Sequence, residues 1–428
     1  MQEQFLHFLW QYQYFEQQNL QTTQAESLEI LEIGKHNSNE GADFEQTLLR
    51  IGNMEWQGDI EIHWKSSDWN KHKHHQNPRY NRVILHIVWE NDVEDVFRED
   101  GTPLPTLELK KRVNPDLLEK YKYLQDSSYK IPCRKVVSHI EHLYWFLMLD
   151  KALAHRLEQK AQKVEQIWLA CQKNWEETTY RLLAQAFGFK INADAFLRLA
   201  EQLPLKILLK HSTDLLQMEA LIFGQAGFLE DDTEVEDEYF VRLQKEYRFL
   251  KAKYELHSLK SSEWNFAKLR PANFPTLRLA QFAQIIHQHI NLFSVFLYAE
   301  QYKTLEKILL VEPSDYWKTH VVFGKTSKGV FYKLGKVSFE NIVINMLVPL
   351  LVLYAQKNNK QDAMDKALRF LQAIKAEENY ITREWQELGI KAQHAADSQA
   401  LIEQYNYFCM EKKCLSCVIG AEILKNKK

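Results

Sequence analysis

The sequence has little cysteine, little glycine and no excess of basic charge. It has 428 residues, of which 5 are cysteine, 13 glycine and 10 proline; this composition excludes a disulfide-rich secreted scaffold and a low-complexity chain. The formal net charge is −3, so any surface for nucleic acid would have to be a local patch. With 45% hydrophobic residues, the chain can bury sizeable cores in two or more domains.

Signals for export and for membrane insertion are also absent from the sequence. The first residues, MQEQFLHFLWQYQYF, lack a basic flank, a long apolar core and a cleavage site, and their apolar spacing is typical of an amphipathic helix. No stretch has the roughly 18 uninterrupted apolar residues of a membrane span. The closest, at 343–354, is interpreted as a buried helix. We therefore expect a cytoplasmic protein without membrane contact.

The apolar pattern changes along the chain from period 2 to period 3.6. Between residues 28 and 113, the short β-type segments LEILEI, TLLRIG, MEWQGDIEIHWK, VILHIVWE and TLELKKRV are separated by turn residues. Beyond about residue 138, long helical segments follow to the end. The prediction is an α+β protein, with a small mixed-sheet domain at 1–135 and a helical domain at 136–428.

Four segments depart from the regular helical pattern of the second region. The acidic run at 230–238 predicts a solvated loop or a helix start, and two prolines interrupt the helices in LRPANFPTLR. The segment 321–339 predicts either a hairpin or a helix–loop–helix. In LIFGQAGFL, two glycines stand three residues apart without the fuller pattern of a nucleotide-binding loop, so close helix packing is predicted.

Three of the five cysteines, Cys409, Cys414 and Cys417, lie near the C-terminus in a C-x4-C-x2-C arrangement. Such spacing lets thiolates converge on one metal, and a fourth ligand is then needed. Cys171 lies in an apolar helical run typical of a buried inert thiol, which leaves Cys133. Zinc and a [4Fe–4S] cluster both suit four thiolates, with zinc preferred. We expect the C-terminus to pack back near Cys133; a redox dithiol or no role are the alternatives.

Ionisable side chains line one face of the predicted strand GDIEIHWK. Because side chains alternate along a strand, Asp59, Glu61, His63 and Lys65 share that face. Asp43 opens the preceding strand, so sheet pairing would bring it close to Glu61. Two carboxylates at one point are a hard-oxygen site suited to Mg²⁺ or Mn²⁺. A basic side chain beside such an ion, His63 or Lys65, would suit phosphodiester hydrolysis.

At these residues the chain resembles the PD-(D/E)XK nuclease superfamily, over about residues 1–113. That family has a helix, a short mixed sheet, an Asp opening one strand and an acid-x-lysine on the next. Here GADF stands in place of Pro-Asp, and histidine stands where the lysine is expected. The resemblance implies that His63 takes the lysine's role, that Lys65 reaches in, or that the site is catalytically dead. It also implies an extra acidic residue on the first helix, Glu3 or Glu16.

A histidine-rich segment follows this strand. His72 and His75 at i and i+3 would share a helical face and, with Asp68 or His63, would suit a transition metal or contact with nucleic acid; a solvated surface is the alternative. His86 lies in an apolar strand and is predicted to be a hydrogen-bonded core residue.

In the helical region, Arg270 and Arg278 in the proline-interrupted segment suit phosphate contact, although a packing joint is the preferred interpretation.

Nearly the whole chain resembles an uncharacterised bacterial family, domain of unknown function 2851. The segments that carry this resemblance are LHFLWQYQYF, GADF, GDIEIHWKSSDWNKH, VILHIVWEND, EALIFGQAG, LRPANFPTLRLAQ and CLSCVIG. The family implies no activity. The leading hypothesis is therefore a metal-dependent nuclease-like phosphodiesterase acting on nucleic acid. The alternatives are a non-catalytic nucleic-acid-binding or assembly protein with a degenerate nuclease core and a structural four-cysteine site, and a hydrolase of another class using the histidine-rich loop.

Overall fold

The chain forms an α+β protein with a curled mixed sheet near its N-terminus and a large helical region after it, as predicted. The computed structural model describes residues 2–37, 39–230, 237–329 and 332–425. Two compact units are present. The sheet unit comprises residues 1–148 and 404–428, and the helical unit comprises residues 149–403. The domain boundary predicted after residue 135 therefore falls within the sheet unit, which also contains the C-terminal cysteines.

The main sheet has six strands in the order β1-β3-β4-β5-β6, with β2 paired to β3. β1, β3 and β4 are antiparallel neighbours, whereas β5 and β6 run parallel to β4. Five of the strands fall on the five predicted β segments, and the two-residue β2 was not predicted. The strands are β1 Leu28–Glu32, β2 Lys35–His36, β3 Phe44–Ile51, β4 Met54–Lys65, β5 Val83–Glu90 and β6 Thr106–Glu108.

The central position of β4 explains its long buried stretch. Residues 58–63 of β4 are all buried, and so are residues 83–89 of β5. Strands covered on both faces have near-continuous apolar sequences, which is the pattern of VILHIVWE. β3 carries an irregularity at Gln46, whose φ is 60°. The Asp59 carboxylate accepts a hydrogen bond from the Gln46 backbone N–H at 3.3 Å, which satisfies a donor that the bulge removes from the ladder.

The helices of the two units account for most of the remaining chain. Their bounds are α1 Gln2–Tyr12, α2 Asp68–Lys71, α3 Pro115–Asp126, α4 His142–Ala170, α5 Trp175–Phe187, α6 Ala193–Gln202, α7 Leu205–Leu209, α8 Leu215–Gln225, α9 Glu238–Tyr254, α10 Pro275–Gln288, α11 Leu292–Tyr298, α12 Tyr302–Leu309, α13 Lys336–Ile342, α14 Val348–Asn358, α15 Gln361–Ala373, α16 Tyr380–Glu387, α17 Ala395–Glu403 and α18 Val418–Lys425. Helix α1 buries Phe5, Leu6, Leu9 and Trp10 completely and packs against β4.

Two predictions for the helical unit are confirmed by its packing. A Cβ on Gly224 would lie 2.1 Å from the ring of Tyr247 on α9, so glycine is what lets α8 approach α9 closely. The segment after residue 320 forms a hairpin, in which β7 (His320–Val322) pairs antiparallel with β8 (Lys325–Thr326). Within the acidic run at 230–238, residues 231–236 lie outside the described residues, and Asp237 caps the start of α9.

The most apolar helical stretch is 336–358, where α13 and α14 are joined by a π-helical segment, Val343–Leu347. By length and composition it is the one helix in the described part of the chain that would be able to cross a membrane. However, 67% of its apolar window is buried within the protein, which is the burial expected of a core helix.

Candidate metal centre

Asp43 and Glu61 meet at the junction of β3 and β4. Phe44 pairs with Ile60 in antiparallel strands. Asp43, which precedes Phe44, therefore lies opposite Glu61, which follows Ile60. The Asp43 carboxylate accepts a hydrogen bond from the backbone N–H of Ile62 at 2.8 Å. The Asp43 backbone in turn interacts with the Glu61 carboxylate. The structure therefore brings the two predicted carboxylates together.

Three imidazoles form a cluster, and two of them lie beside the Glu61 side chain. The ligand atoms of His63, His72 and His74 all lie within 4.8 Å of one another, and they are the one such group of potential metal ligands in the described part of the chain. These three residues are called the imidazole cluster. His74 Nε2 lies 3.3 Å and His63 Nε2 3.6 Å from Glu61 Oε1. His63 Nε2 lies 3.2 Å from His72 Nδ1.

The turn after β4 explains why His74, and not His75, joins this cluster. The predicted helical face needs an uninterrupted helix, but α2 ends at Lys71 and Lys73 adopts a left-handed φ of 62°. This reversal of the backbone directs both His72 and His74 toward β4, so the predicted pairing of His72 with His75 is wrong. His74 packs against Tyr80, with ring centroids 3.8 Å apart, and is buried.

Several buried polar atoms in this region have no hydrogen-bond partner among the described residues. They are Glu61 Oε2, His7 Nε2, His74 Nδ1, His75 Nδ1 and His86 Nδ1. Buried polar atoms in folded proteins are nearly always paired, and each exception needs an explanation such as an ion or a water. The concentration of such atoms around Asp43, Glu61 and the neighbouring histidines is the feature that marks this region as a site.

Burial dominates the electrostatics of the site. Glu61 is 6% exposed; burial, and then the charge of Asp43, raises its pKa to about 9. Burial and the neighbouring histidines lower the pKa of His63 to about 2, and burial lowers that of His86 to about 3. These imidazoles are therefore neutral at pH 7 and keep a lone pair, which is the form that binds metal ions.

His86 holds His63 in place. It pairs with Glu61 across the parallel β4–β5 ladder, is fully buried, and its Nε2 lies 2.8 Å from His63 Nδ1. This hydrogen bond confirms the prediction of a hydrogen-bonded core histidine. If His63 Nδ1 donates the proton, His63 Nε2 is left with its lone pair directed at the imidazole cluster.

Helix α1 supplies two further ionisable groups. Glu3 and His7 stand four residues apart, on one face of the helix. His7 Nε2 lies 3.4 Å from the Asp43 carboxylate, and the charge of Glu3 acts on both Glu61 and His74. Glu16 is exposed beyond the end of α1. Of the two acidic residues suggested by the nuclease resemblance, the structure therefore brings Glu3 to the site.

Lys65 and Asp59 do not join the site, although they belong to the same strand. Lys65 is exposed at the end of β4, 3.9 Å from Asp92. Asp59 interacts with the Gln46 backbone and lies 3.7 Å from Arg82. Alternation along β4 predicts that Lys65 and Asp59 share a face with Glu61 and His63. The end of the strand at Lys65 and the bulge beside Asp59 keep these two side chains out of the site. Asp68 accepts a hydrogen bond from the Lys65 backbone N–H at 3.2 Å.

The four cysteines of the predicted zinc or [4Fe–4S] site all lie in the sheet unit and are buried as free thiols. Burial, and then the charges of neighbouring cysteines in this group, raises the pKa of Cys133 and of Cys409. The Gln404 amide donates to Cys417 Sγ at 3.0 Å and to Cys409 Sγ at 3.7 Å. These sulfur atoms are more widely spaced than the nitrogens of the imidazole cluster, because no three of them all lie within 4.8 Å of one another.

Of the two predicted arginine contacts, Arg270 is exposed whereas Arg278 is only 3% exposed. The guanidinium of Arg278 donates hydrogen bonds to Asn273, Ser338 and Gln281 within the helical unit. This burial agrees with the packing-joint interpretation.

The fold and this centre define a class of protein: an α+β chain with a carboxylate and imidazole cluster on the central strand of its sheet. The chain belongs to the family described as Protein of unknown function (DUF2851), whose family model matches residues 3–380. That match includes every residue of the imidazole cluster together with Asp43 and Glu61. No curated protein and no solved structure matches the chain.

Proposed function

We propose that the chain is a divalent-metal-dependent phosphodiesterase of nuclease-like type that acts on nucleic acid, with its active site at Asp43, Glu61 and the imidazole cluster. The observation that carries this proposal is the group of buried polar atoms without partners around Glu61. A cation bound there would satisfy the unpartnered oxygen of Glu61 and would compensate two adjacent carboxylates.

Glu61, His63, His72 and His74 are the residues that would hold the ion, with Asp43 as the second carboxylate. The two carboxylates alone suggested Mg²⁺ or Mn²⁺. Imidazole nitrogens favour Mn²⁺ or Zn²⁺ over Mg²⁺, so with the histidines included we propose Mn²⁺ or Zn²⁺. When bound, such an ion polarises a phosphoryl oxygen and lowers the pKa of a bound water.

The chain's own side chains have distinct tasks in this proposal. His86 fixes the ring of His63 through the 2.8 Å hydrogen bond. Asp43 is fixed by the Ile62 backbone N–H. His72 is the exposed member of the imidazole cluster, so we infer that substrate approaches on its side. The phosphodiester substrate itself is inferred from the PD-(D/E)XK resemblance of residues 1–113.

A specific observation favours the non-catalytic alternative, a nucleic-acid-binding protein with a degenerate nuclease core. Among the residues that the structure describes, no lysine or arginine forms an ion pair with Asp43 or Glu61. The lysine expected of the nuclease family stabilises developing negative charge on the phosphate. A site that lacks it would bind a metal and a phosphate but cleave slowly.

The test is a cleavage assay on fluorescent single-stranded and double-stranded DNA and RNA with Mn²⁺, Zn²⁺ or Mg²⁺. We expect cleavage that requires metal, that is fastest with Mn²⁺ or Zn²⁺, and that is lost in Glu61→Gln. Lys65→Ala is the matched control, because Lys65 lies on the same strand outside the site. Metal-dependent binding without cleavage would support the alternative, and cleavage that survives Glu61→Gln would refute the site.

We also propose that Cys133, Cys409, Cys414 and Cys417 hold a structural zinc or a [4Fe–4S] cluster. Support comes from their common burial in the sheet unit and from the Gln404 amide, since amide N–H groups stabilise metal-bound sulfur. The sulfur atoms would have to move closer together around the ion. Metal analysis of anaerobically purified protein tests this: zinc without colour or broad absorption near about 400 nm would support it, and neither would refute it.

A further inference from the structure

Arg278 is a buried cation without a buried anion. It lies on α10, and its side chain stacks over Phe189 with the guanidinium carbon 4.8 Å from the ring centroid. Nη1 donates to Gln281 Oε1 at 2.9 Å, and Nη2 donates to Asn273 Oδ1 at 2.6 Å and to Ser338 Oγ at 3.0 Å. All three acceptors are neutral. Nε has no acceptor among the described residues.

Another buried cation of the helical unit is neutralised. Lys366 is 5% exposed, and its Nζ lies 2.5 Å from Glu300 Oε1. For Arg278, no ion pair with a carboxylate is present in the part of the chain that the structure describes, and burial alone depresses its pKa, to about 10. Because an uncompensated buried charge is costly, its retention points to an anion that is supplied from outside the chain.

Arg278 lines a cavity of about 260 Å³ in the helical unit. The described lining has two basic side chains, Arg278 and Lys190, and no acidic one. The N-terminus of the 14-residue helix α10, at Pro275, also borders the cavity and adds partial positive charge. The rest of the wall is largely apolar and aromatic and includes Phe187, Phe196 and Ile191.

We propose that this cavity binds a small organic oxyanion, a phosphate or carboxylate attached to an apolar or aromatic body. Arg278 neutralises the anionic group, the Ser338 hydroxyl and Lys190 are additional donors, and the phenylalanine rings pack against the body. Small-molecule sites have this composition, with mostly apolar walls and a few convergent polar groups. The site lies in the helical unit and is independent of the proposed metal centre.

Titration calorimetry on the full chain tests this proposal with phenyl phosphate, benzoate and inorganic phosphate as probes. We expect saturable binding of phenyl phosphate or benzoate. The probe that binds more tightly shows whether the cavity prefers a phosphate or a carboxylate. Weaker binding of inorganic phosphate would measure the part played by the aromatic body. Arg278→Met should weaken binding at least about tenfold, the usual size of a charge-assisted contact.

Arg198→Met is the matched control, because Arg198 is half-exposed and pairs with Glu263 at 2.8 Å; its affinity should equal that of the wild type. If Arg278→Met does not fold, Lys190→Met and Ser338→Ala decide the question, and each should weaken binding by about threefold or more. Absence of saturable binding of all three probes by the wild type would overturn the proposal. Equal affinity in the wild type and in the folded cavity variants would also overturn it.

Discussion

Two buried glutamates in this protein have opposite surroundings. Glu219 on α8 is 1% exposed and accepts hydrogen bonds from the Tyr239 hydroxyl at 2.7 Å and from the Ser314 hydroxyl at 2.7 Å, one on each carboxyl oxygen. Glu61 on β4 is 6% exposed, lies beside a second carboxylate and has one oxygen without a partner in the part of the chain that the structure describes. Burial raises the pKa of both groups.

This difference teaches how a structural carboxyl group is distinguished from a functional one. A buried carboxyl group that stabilises a fold has its hydrogen-bonding capacity satisfied by fixed donors, as at Glu219. Glu61 instead lies among imidazole lone pairs and beside a second carboxyl group, and one of its oxygens has no partner among the described residues. The proposed cation would satisfy that oxygen.

The two sites should respond differently to truncation. Glu219→Ala removes the carboxyl acceptor of the Tyr239 and Ser314 hydroxyl groups, so we expect a loss of about 2–4 kcal/mol in the free energy of unfolding. Glu61→Ala in metal-free protein removes a group that interacts with the Asp43 backbone, but it also removes a buried oxygen without a partner among the described residues, so it should cost less than about 1 kcal/mol. Urea unfolding of both variants in a chelator measures this. Equal losses of unfolding free energy in the two variants would contradict the distinction between Glu219 and Glu61.

Stability should also depend on pH through Glu219. Burial raises its pKa from 4.5 to about 7. The folded state therefore binds the proton more tightly than the unfolded state, and this stabilisation is present below pH 4.5 and is lost as the pH rises through about 7. The loss is about 3 kcal/mol. Glu219→Gln mimics the protonated group, so it should match the wild type at low pH and be more stable above pH 7.

The sheet and the approach of its two carboxylates were accessible from the sequence, whereas the place of His74 was not. The alternation in MEWQGDIEIHWK and the continuous apolar run in VILHIVWE predicted β4 and β5, and pairing of neighbouring strands predicted that Asp43 would approach Glu61. His74 was missed because its position depends on the left-handed φ of Lys73, which is not a glycine and so carries no signal. The preferred packing-joint interpretation agrees with the burial of Arg278, but the sequence did not distinguish it from the exposed Arg270, since tertiary packing decides which side of a proline-rich joint faces inward.

Mn²⁺ should stabilise the protein through the imidazole cluster and Glu61, because thiolates such as the four cysteines do not favour this ion. At a metal concentration of about 100 Kd, Mn²⁺ should add about 2.7 kcal/mol to the free energy of unfolding. His72→Ala should abolish most of this gain, whereas His75→Ala, in the same turn but outside the cluster, should retain it. Thermal unfolding with and without metal measures the gain. If His75→Ala also loses it, the assignment of the turn is wrong.

The smallest effect is expected at Asp59, the carboxylate on β4 that has a structural partner. Asp59→Asn weakens the hydrogen bond to the Gln46 N–H in the bulge and should cost about 0.5–1.5 kcal/mol of stability. Metal affinity should not change, because Asp59 lies outside the site. A loss of metal affinity in this variant would show that the bulge, and not the ligand set, controls the centre.

The central claim is that Glu61, and not burial as such, creates the metal site. Mn²⁺ bound per chain, measured after equilibrium dialysis against Mn²⁺, an ion that the four proposed cysteine ligands do not favour, tests it most directly on the wild type, Glu61→Gln and Glu219→Gln. The account predicts one ion that is lost in Glu61→Gln, with affinity at least about a hundredfold weaker, and that is retained in Glu219→Gln. Equal metal content in the wild type and Glu61→Gln would contradict it.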